Sequence, residues 1–382
     1  MQNINIKRII LVEATAFTMG TAATNRVIAY AKSYASLGKE VYLIGYSYDE
    51  ISADLGQGVH PIIYVEDKTK FKLYRRLSIY WKIIKSIKKL YLKNESVVHI
   101  YGIPIWGFML SRKKYNIFYE RTEAFFYENG GLLFNIQEYL KLYNLKFAKG
   151  LFVISEALKR EIQKRGVKHI EIINMFVDAV RFNGISNNST EKYIAYCGVI
   201  SVHKDGVNDL IKAFQLFREK YPSYKLLLIG GNHNIQEIEQ VHQVVDDLNL
   251  SDSVIFTGRI IPEKIPSLLN NASILALARP NNKQSQYGFP TKLGEYLSSG
   301  NPVVVTKVGE IDHFLQDKNN CIFAKPDCPE DFADKLCWVA SHPEEAKLIG
   351  ERGRLLTENE FSALKQSERA VLFMQNIVNC EI

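Results

Sequence analysis

The stretch Leu277-Ala-Arg-Pro-Asn-Asn-Lys-Gln-Ser-Gln-Tyr-Gly-Phe-Pro-Thr-Lys-Leu-Gly-Glu-Tyr-Leu-Ser-Ser-Gly-Asn-Pro-Val-Val-Val-Thr306 reads as strand, polar loop, helix, glycine stop and strand. A strand–helix–strand unit belongs to a parallel sheet with right-handed crossovers. The loop Gly288-Phe-Pro-Thr291 stands at the start of a helix expected over Lys292–Ser299. Free backbone N–H groups there make an anion site, and the helix dipole adds positive potential. Gly288 lets backbone approach a ligand closely. Lys292 puts a cation in the first turn, against the dipole, which is easier to understand if an anion sits between them. Glu295, one turn on, is placed to accept hydrogen bonds from hydroxyls beside that anion. Diphosphate followed by ribose suits the arrangement; a capped surface helix with ordinary charges is the plainer alternative.

Outward from this stretch the same alternation repeats. Short apolar runs occur at Arg8–Val12, Glu40–Gly45, Val97–Tyr101, Tyr115–Tyr119, Leu151–Ile154 and Ile170–Ile173. A second series occupies Tyr193–Cys197, Lys225–Ile229, Val254–Thr257, Ile274–Ala278 and Pro302–Thr306. Continuous apolarity over four to seven residues indicates strands buried on both faces. The polar segment Asn183–Thr190 separates the series and suits a linker. The expected fold is therefore α/β with two Rossmann-like parallel-sheet domains, 1–186 and 187–362, facing across a cleft. A C-terminal helix over about 363–382 would pack back on the first domain. Ligands bind at the carboxyl ends of such sheets.

A length of 382 residues suits two domains, and 47% apolar with 23% charged residues is ordinary for a globular protein. The five cysteines form no C-x-x-C pair and suggest reduced thiols rather than a disulfide framework or zinc site. No signal peptide is read at the start, and no apolar stretch is long enough to span a membrane, so a cytoplasmic location is expected. The net charge of +7 is concentrated between Lys68 and Lys93, where ten Lys or Arg residues meet no Asp or Glu. One basic stretch in an otherwise slightly acidic chain argues against nucleic acid as the partner.

The quoted stretch resembles the signature of the retaining family-four glycosyltransferases of GT-B fold, of the bacterial surface-polysaccharide type. That family carries Glu-x7-Glu here, its second Glu on the donor ribose and the intervening amides on the diphosphate. Glu295 matches the second Glu, while the first falls at Tyr287. A branch pattern Gly-x-Pro-x-Lys-x-x-Glu-Tyr fits Gly288, Pro290, Lys292, Glu295 and Tyr296 instead. Gln286 and Tyr287 then stand in for the lost sugar contact. The segment Tyr196–Phe214 resembles the family's strand, Gly-rich turn and Lys-Gly segment, with Gly198 in the turn and Lys204 at the lysine that holds the diphosphate. The usual Arg after the glycine is Val199, and Lys292 or Arg279 would substitute. The likeness implies a nucleotide-diphosphate sugar donor bound by Gly198, Lys204, Arg279, Gln286, Tyr287, Gly288, Phe289, Pro290, Thr291, Lys292 and Glu295. It implies a saccharide or lipid-linked acceptor and no cofactor. No Asp-x-Asp pair occurs to hold a metal against the diphosphate, so no essential metal is expected.

In the first half, Gly20 lies in a loop placed under the acceptor, although an ordinary strand–helix turn explains it equally. Tyr119-Glu-Arg-Thr-Glu123 sets charges at the end of a buried strand, so Glu123 or Arg121 would contact the acceptor and share the catalytic role with Lys204. His99, inside Val-Val-His-Ile, reads as a core histidine. Two other functions use the same fold: a nucleotide-sugar epimerase, which needs no acceptor, and a non-catalytic sugar-nucleotide-binding partner.

Residues 71–92 read as one amphipathic helix with an apolar stripe of Leu73, Leu77, Tyr80, Trp81, Ile84, Ile87 and Leu90 packed on the first sheet. Its cationic face would attach the protein to the inner face of the cytoplasmic membrane without deep insertion.

Overall fold

The computed structural model describes the chain except residues 1–4, 51–54, 68–70, 111–113, 124–131, 186–188, 233 and 381–382. The chain divides into two units, Met1–Asn174 with Ala363–Ile382, and Met175–Ser362. In the first, strands β1 (Arg8–Ala16), β2 (Glu40–Ser47), β3 (Val59–Val65), β4 (Ser96–Tyr101), β5 (Ile117–Arg121), β6 (Gly150–Val153) and β7 (Ile170–Ile172) form a parallel sheet of order β3-β2-β1-β4-β5-β6-β7. In the second, β8 (Tyr193–Cys197), β9 (Lys225–Ile229), β10 (Val254–Gly258), β11 (Ile274–Leu277), β12 (Val303–Thr306) and β13 (Ile322–Ala324) run in the order β10-β9-β8-β11-β12-β13. Helices cover both faces of each sheet, so the central strands lose all exposure. Ile9 to Val12 and Leu275 to Leu277 are each at 0%, which is why they read as unbroken apolar runs. Strand order reverses between β1 and β4 and between β8 and β11, the switch points where such sheets open a ligand crevice.

Two strands went unread in the sequence, and both are edges. β3 carries Pro61 and is half-exposed, as an edge strand tolerates. β13 has only three residues. β5 also starts and ends two residues later than its apolar run, because Glu120 is neutralised inside the unit and continues the strand. The break between units falls after Asn174, ahead of the expected linker, part of which (186–188) lies outside the described residues. Residues 175–182 already belong to the second unit: Met175, Phe176, Val177 and Phe182 are buried, and Val177 N–H donates to Phe361 O at 3.1 Å. The helix Ala363–Cys380 belongs to the first unit, where Phe373 meets the rings of Phe118 and Phe152.

The helix Lys72–Leu90 packs on a stripe rotated from the one expected, sharing Ile84 and Ile87 with it while Tyr80 and Leu90 are half-buried. Ile79, Ile83, Ile84 and Ile87 are buried, whereas Leu77 and Trp81 are 53% and 61% exposed. Lys68, Lys70 and the side chain of Leu73 lie outside the described residues. Both stripes have three- and four-residue spacing. The isoleucines, compact and β-branched, take the sheet side and turn the large aromatics outward.

Candidate functional site

The carboxyl ends of β8 and β11 meet at the second sheet's switch point, and their loops approach closely. A Cβ at Gly198 would strike Lys292 Nζ, and one at Gly206 would strike the carbonyl oxygen of Ala278. Gly206 also has φ +64°, a left-handed backbone that other residues adopt only at a cost. Between these glycines Ser201 caps the short helix Val202–Asp205, its Oγ accepting from Lys204 N at 3.2 Å. That turn drives Asp205 inward, to 2% exposure. Asp205 Oδ2 accepts from Tyr196 Oη at 2.8 Å and pairs with Lys292 Nζ. Arg279 Nε lies 3.9 Å from Asp205 Oδ1, and Lys292 Nζ also donates to Tyr196 Oη at 3.0 Å.

The anion that the position of Lys292 calls for is thus already supplied by the protein. Burial pushes the Asp205 carboxyl up, but Lys292 beside it holds it below the usual carboxylate range. Burial lowers the Lys292 ammonium, Asp205 opposes that shift, and the nearby charges of Lys204 and Arg279 add to it. Two cations, Lys292 and Arg279, therefore converge on one carboxylate, and Lys204 lies close enough to act on Lys292, leaving a surplus of positive charge beside a buried acid.

The loop at the start of helix Lys292–Ser298 differs in detail from the sequence reading. A helical turn, Lys283–Tyr287, occupies part of the expected loop and is capped by Asn282. Gly288 N–H closes that turn on Gln284 O at 3.1 Å and is not open to a ligand. Its φ of −102° is ordinary; a side chain there would press on Gln284 O at 3.0 Å. Phe289 turns its ring into a cluster with Phe314 and Phe361, so only its backbone is available to a donor. Pro290 is buried, and its carbonyl and that of Thr291 accept from Leu293 and Gly294 N–H. Gln286 is exposed and bonds Asn281 Oδ1 at 3.1 Å, and Tyr287 is half-buried.

Glu295 Oε1 accepts from Arg181 Nη1 at 2.8 Å, and Arg181 Nη2 donates to Pro262 O at 2.8 Å. Cys197, at the end of β8, senses Glu295, Lys292 and Arg181 together. Burial, then Glu295, pushes its thiol up to about 12. Gly198, Arg279, Lys292 and Glu295, with the electrostatically coupled Lys204, are therefore gathered around one strand end.

Among these, Asp205, Tyr196 and Arg181 were missed in the sequence. Asp205 directly follows Lys204, and Arg181 directly precedes Phe182, but adjacency alone gave no sign of their partners.

The remaining candidates belong to the first unit. Gly20 has φ +81° in a turn before Thr21, the cap of helix Ala22–Ser36, as an ordinary strand–helix turn requires. Arg121 donates to Glu123 O at 2.7 Å and to the buried Glu138 at 3.1 Å, while Glu123 is exposed. The buried charges at this strand end are Glu120 and Arg26, paired at 2.6 Å. His99 is fully buried, with Nε2 3.1 Å from Glu120 Oε2 and Nδ1 3.0 Å from Tyr34 Oη.

Glu13 in β1 is fully buried and accepts from the hydroxyls of Thr24 and Thr15, each at 3.1 Å. Burial outweighs those bonds and pushes its carboxyl up from 4.5 to about 8. A raised acid in the folded chain favours folding fully below the unfolded value and loses that advantage as pH rises through the folded one. Between pH 4.5 and 6 the loss is about 2 kcal/mol, and it continues to about pH 8. Glu13→Gln is expected to flatten this slope in thermal melts taken from pH 4.5 to 8. Parallel wild-type and variant curves would show that Glu13 ionises as freely folded as unfolded.

Residues 191–342 match the family model described as glycosyl transferases group 1. The mannosylfructose-phosphate synthase of Agrobacterium fabrum is 27% identical over 203 residues, 49% of this chain and 43% of that protein. The chain spans about half the length of the curated relatives it matches, 43% and 56% in two of them. Among solved structures, the sucrose-phosphate synthase of Thermosynechococcus elongatus superposes with a TM-score of 0.78 at 16% identity, covering 98% of this chain and 100% of that one. Alr3699/HepE of Anabaena in complex with UDP-glucose gives 0.75 at 14% identity, covering 96% and 99%. Residues 191–342 are therefore similar to the glycosyl transferases group 1 family, in a chain with the two-sheet GT-B fold.

Proposed function

We propose that the chain transfers a sugar, with retention, from a nucleotide-diphosphate sugar to a saccharide or lipid-linked saccharide acceptor in cell-surface polysaccharide synthesis. The observation that carries this reading is the convergence of Arg279 and Lys292 on the single carboxylate of Asp205 at the β8–β11 switch point, with Lys204 acting on Lys292. Negative charge develops on the departing diphosphate, and fixed cations in a partly dry site stabilise it more than water does. The same cations fill the role a divalent metal would take. The amides of Phe289, Thr291 and Lys292 would complete the diphosphate contacts. Glu295 would exchange its bond with Arg181 for the ribose hydroxyls, leaving Arg181 to face the diphosphate side. The Anabaena neighbour solved with UDP-glucose supports a uridine diphosphate sugar as the first donor to try. Gln286 and Tyr287 would take the sugar contacts, and Arg121 or Glu123 the acceptor.

Glu295→Gln is expected to lower turnover at least tenfold at subsaturating donor, about 1.4 kcal/mol. Lys204→Ala is expected to weaken nucleoside diphosphate binding in calorimetry. Unchanged donor kinetics in the first variant and wild-type affinity in the second would move the donor site elsewhere.

A further inference from the structure

The outward stripe of helix Lys72–Leu90 carries Tyr74, Leu77 and Trp81, which are 61%, 53% and 61% exposed. Their spacings of three and four residues put them on one face. Lys85 and Lys88 prolong that face toward the helix end, with Lys82 and Lys89 beside it, all exposed. The helix contains no acid. An exposed run of aromatic and aliphatic groups ending in lysines is the pattern of a helix lying in a bilayer interface.

A second helix extends the surface. The crossovers β3 to β4 and β5 to β6 move the same way across the sheet, so right-handed connections place helices Lys72–Leu90 and Leu132–Asn144 on one face. The turn Gly107–Met109 joins them. Trp106 beside it meets the ring of Tyr80 at 6.2 Å, and Asn144 Nδ2 donates to Pro104 O at 2.6 Å. Phe108 at the tip of this turn is 58% exposed, and Tyr139, Leu140 and Tyr143 of the second helix are 68%, 41% and 47% exposed. One face of the first unit thus presents two apolar helix stripes, one of them bordered by lysines. Patches of this kind are uncommon on monomers without a partner.

We infer that this face is an interfacial binding surface for an anionic lipid bilayer, with Leu77 and Trp81 entering the acyl boundary and the lysines resting on the headgroups. The lysines along helix Lys72–Leu90 select the bilayer over a protein partner, since each cation there adds about 1 kcal/mol of attraction to anionic lipid. No helix among the described residues is long and apolar enough to cross the membrane. The inference does not depend on the donor chemistry, because vesicle binding is read without turnover.

The test is sedimentation of the full chain with phosphatidylglycerol-containing vesicles and with pure phosphatidylcholine, at low and high salt. Binding to the anionic vesicles is expected. Leu77→Ser with Trp81→Ser is expected to weaken it at least tenfold without moving the unfolding midpoint, both side chains being exposed. Lys85→Ser with Lys88→Ser is expected to weaken it at low salt only. Brominated lipid is expected to quench tryptophan fluorescence, and Trp81→Phe to abolish that quenching. Absence of binding at low salt, or binding untouched by the Leu77/Trp81 variant, overturns the inference. So does a dimer in light scattering that this variant dissociates while vesicles stay unbound, which would make a second copy the occupant.

Discussion

Arg26→Met is expected to destabilise the first unit by about 3–5 kcal/mol, the range for removing one partner of a buried ion pair. Arg26 and Glu120 are 4% and 1% exposed. Burial works against both charges. Even so, Arg26 and His99 hold the Glu120 carboxyl below its usual range, and Glu120 holds the guanidinium above its own. Arg26 also donates to the carbonyls of Ile173 and Asn174 at 2.9 and 3.0 Å, so one side chain ties helix Ala22–Ser36, β5 and the segment after β7. Methionine fills much of the volume and makes none of these bonds. Adding Glu120→Gln is expected to recover a large part of the loss by removing the stranded charge. Two units need not unfold together, so the readout must be local. The three tryptophans allow this: Trp81 and Trp106 report on the first unit and Trp338 on the second. Urea unfolding followed by fluorescence in a Trp338→Phe background isolates the first. A loss under 1 kcal/mol would mean that water or relaxation solvates Glu120 once Arg26 is gone.

Glu120 also shows where sequence reading stopped. Strands buried on both faces were legible because nothing polar interrupts them, as at Ile9 to Val12 and Leu275 to Leu277. Two of the four edge strands were not, because β3 is half-exposed and β13 is too short to carry a pattern. Charges facing inward read as strand ends, since a sequence does not reveal a partner 94 residues away. The same limit applied at the candidate donor site. Lys204, Arg279, Lys292 and Glu295 stood out by residue type and by their places near strand and helix ends. Asp205 and Arg181 did not, because their importance lies in contacts across the fold, 87 residues from Asp205 to Lys292 and 114 from Arg181 to Glu295. In helix Lys72–Leu90 the periodicity was right and the buried side was read rotated, with Ile84 and Ile87 buried as expected and Leu77 and Trp81 exposed instead. Apolar residues at positions 79 to 81, 83 and 84 surround much of the helix, and packing against the sheet decides between rival stripes.

Lys292→Met is expected to destabilise the second unit by about 3 kcal/mol, the lower end of the same range, since it leaves the buried Asp205 only the longer contact to Arg279 and the Tyr196 hydroxyl. Trp338 fluorescence in a Trp81→Phe, Trp106→Phe background reads that unit alone. This loss complicates any use of the single variant to assign a donor contact, because weakened binding would follow from a damaged fold as readily as from a missing cation. The double variant Lys292→Met with Asp205→Asn separates the two. It removes both charges together, leaves Tyr196 Oη a partner in the side-chain amide that replaces the carboxylate, and is expected to regain most of the stability. Net charge at the site is unchanged by the double substitution, so long-range attraction for an anion is retained through Lys204 and Arg279. What is missing is the ammonium itself at the turn of Gly198, where a Cβ would strike Nζ. If that ammonium touches the diphosphate, nucleoside diphosphate affinity stays at least tenfold below wild type in the restabilised protein, about 1.4 kcal/mol. Wild-type affinity in the double variant would instead confine Lys292 to neutralising Asp205 and leave the diphosphate to Lys204 and Arg279.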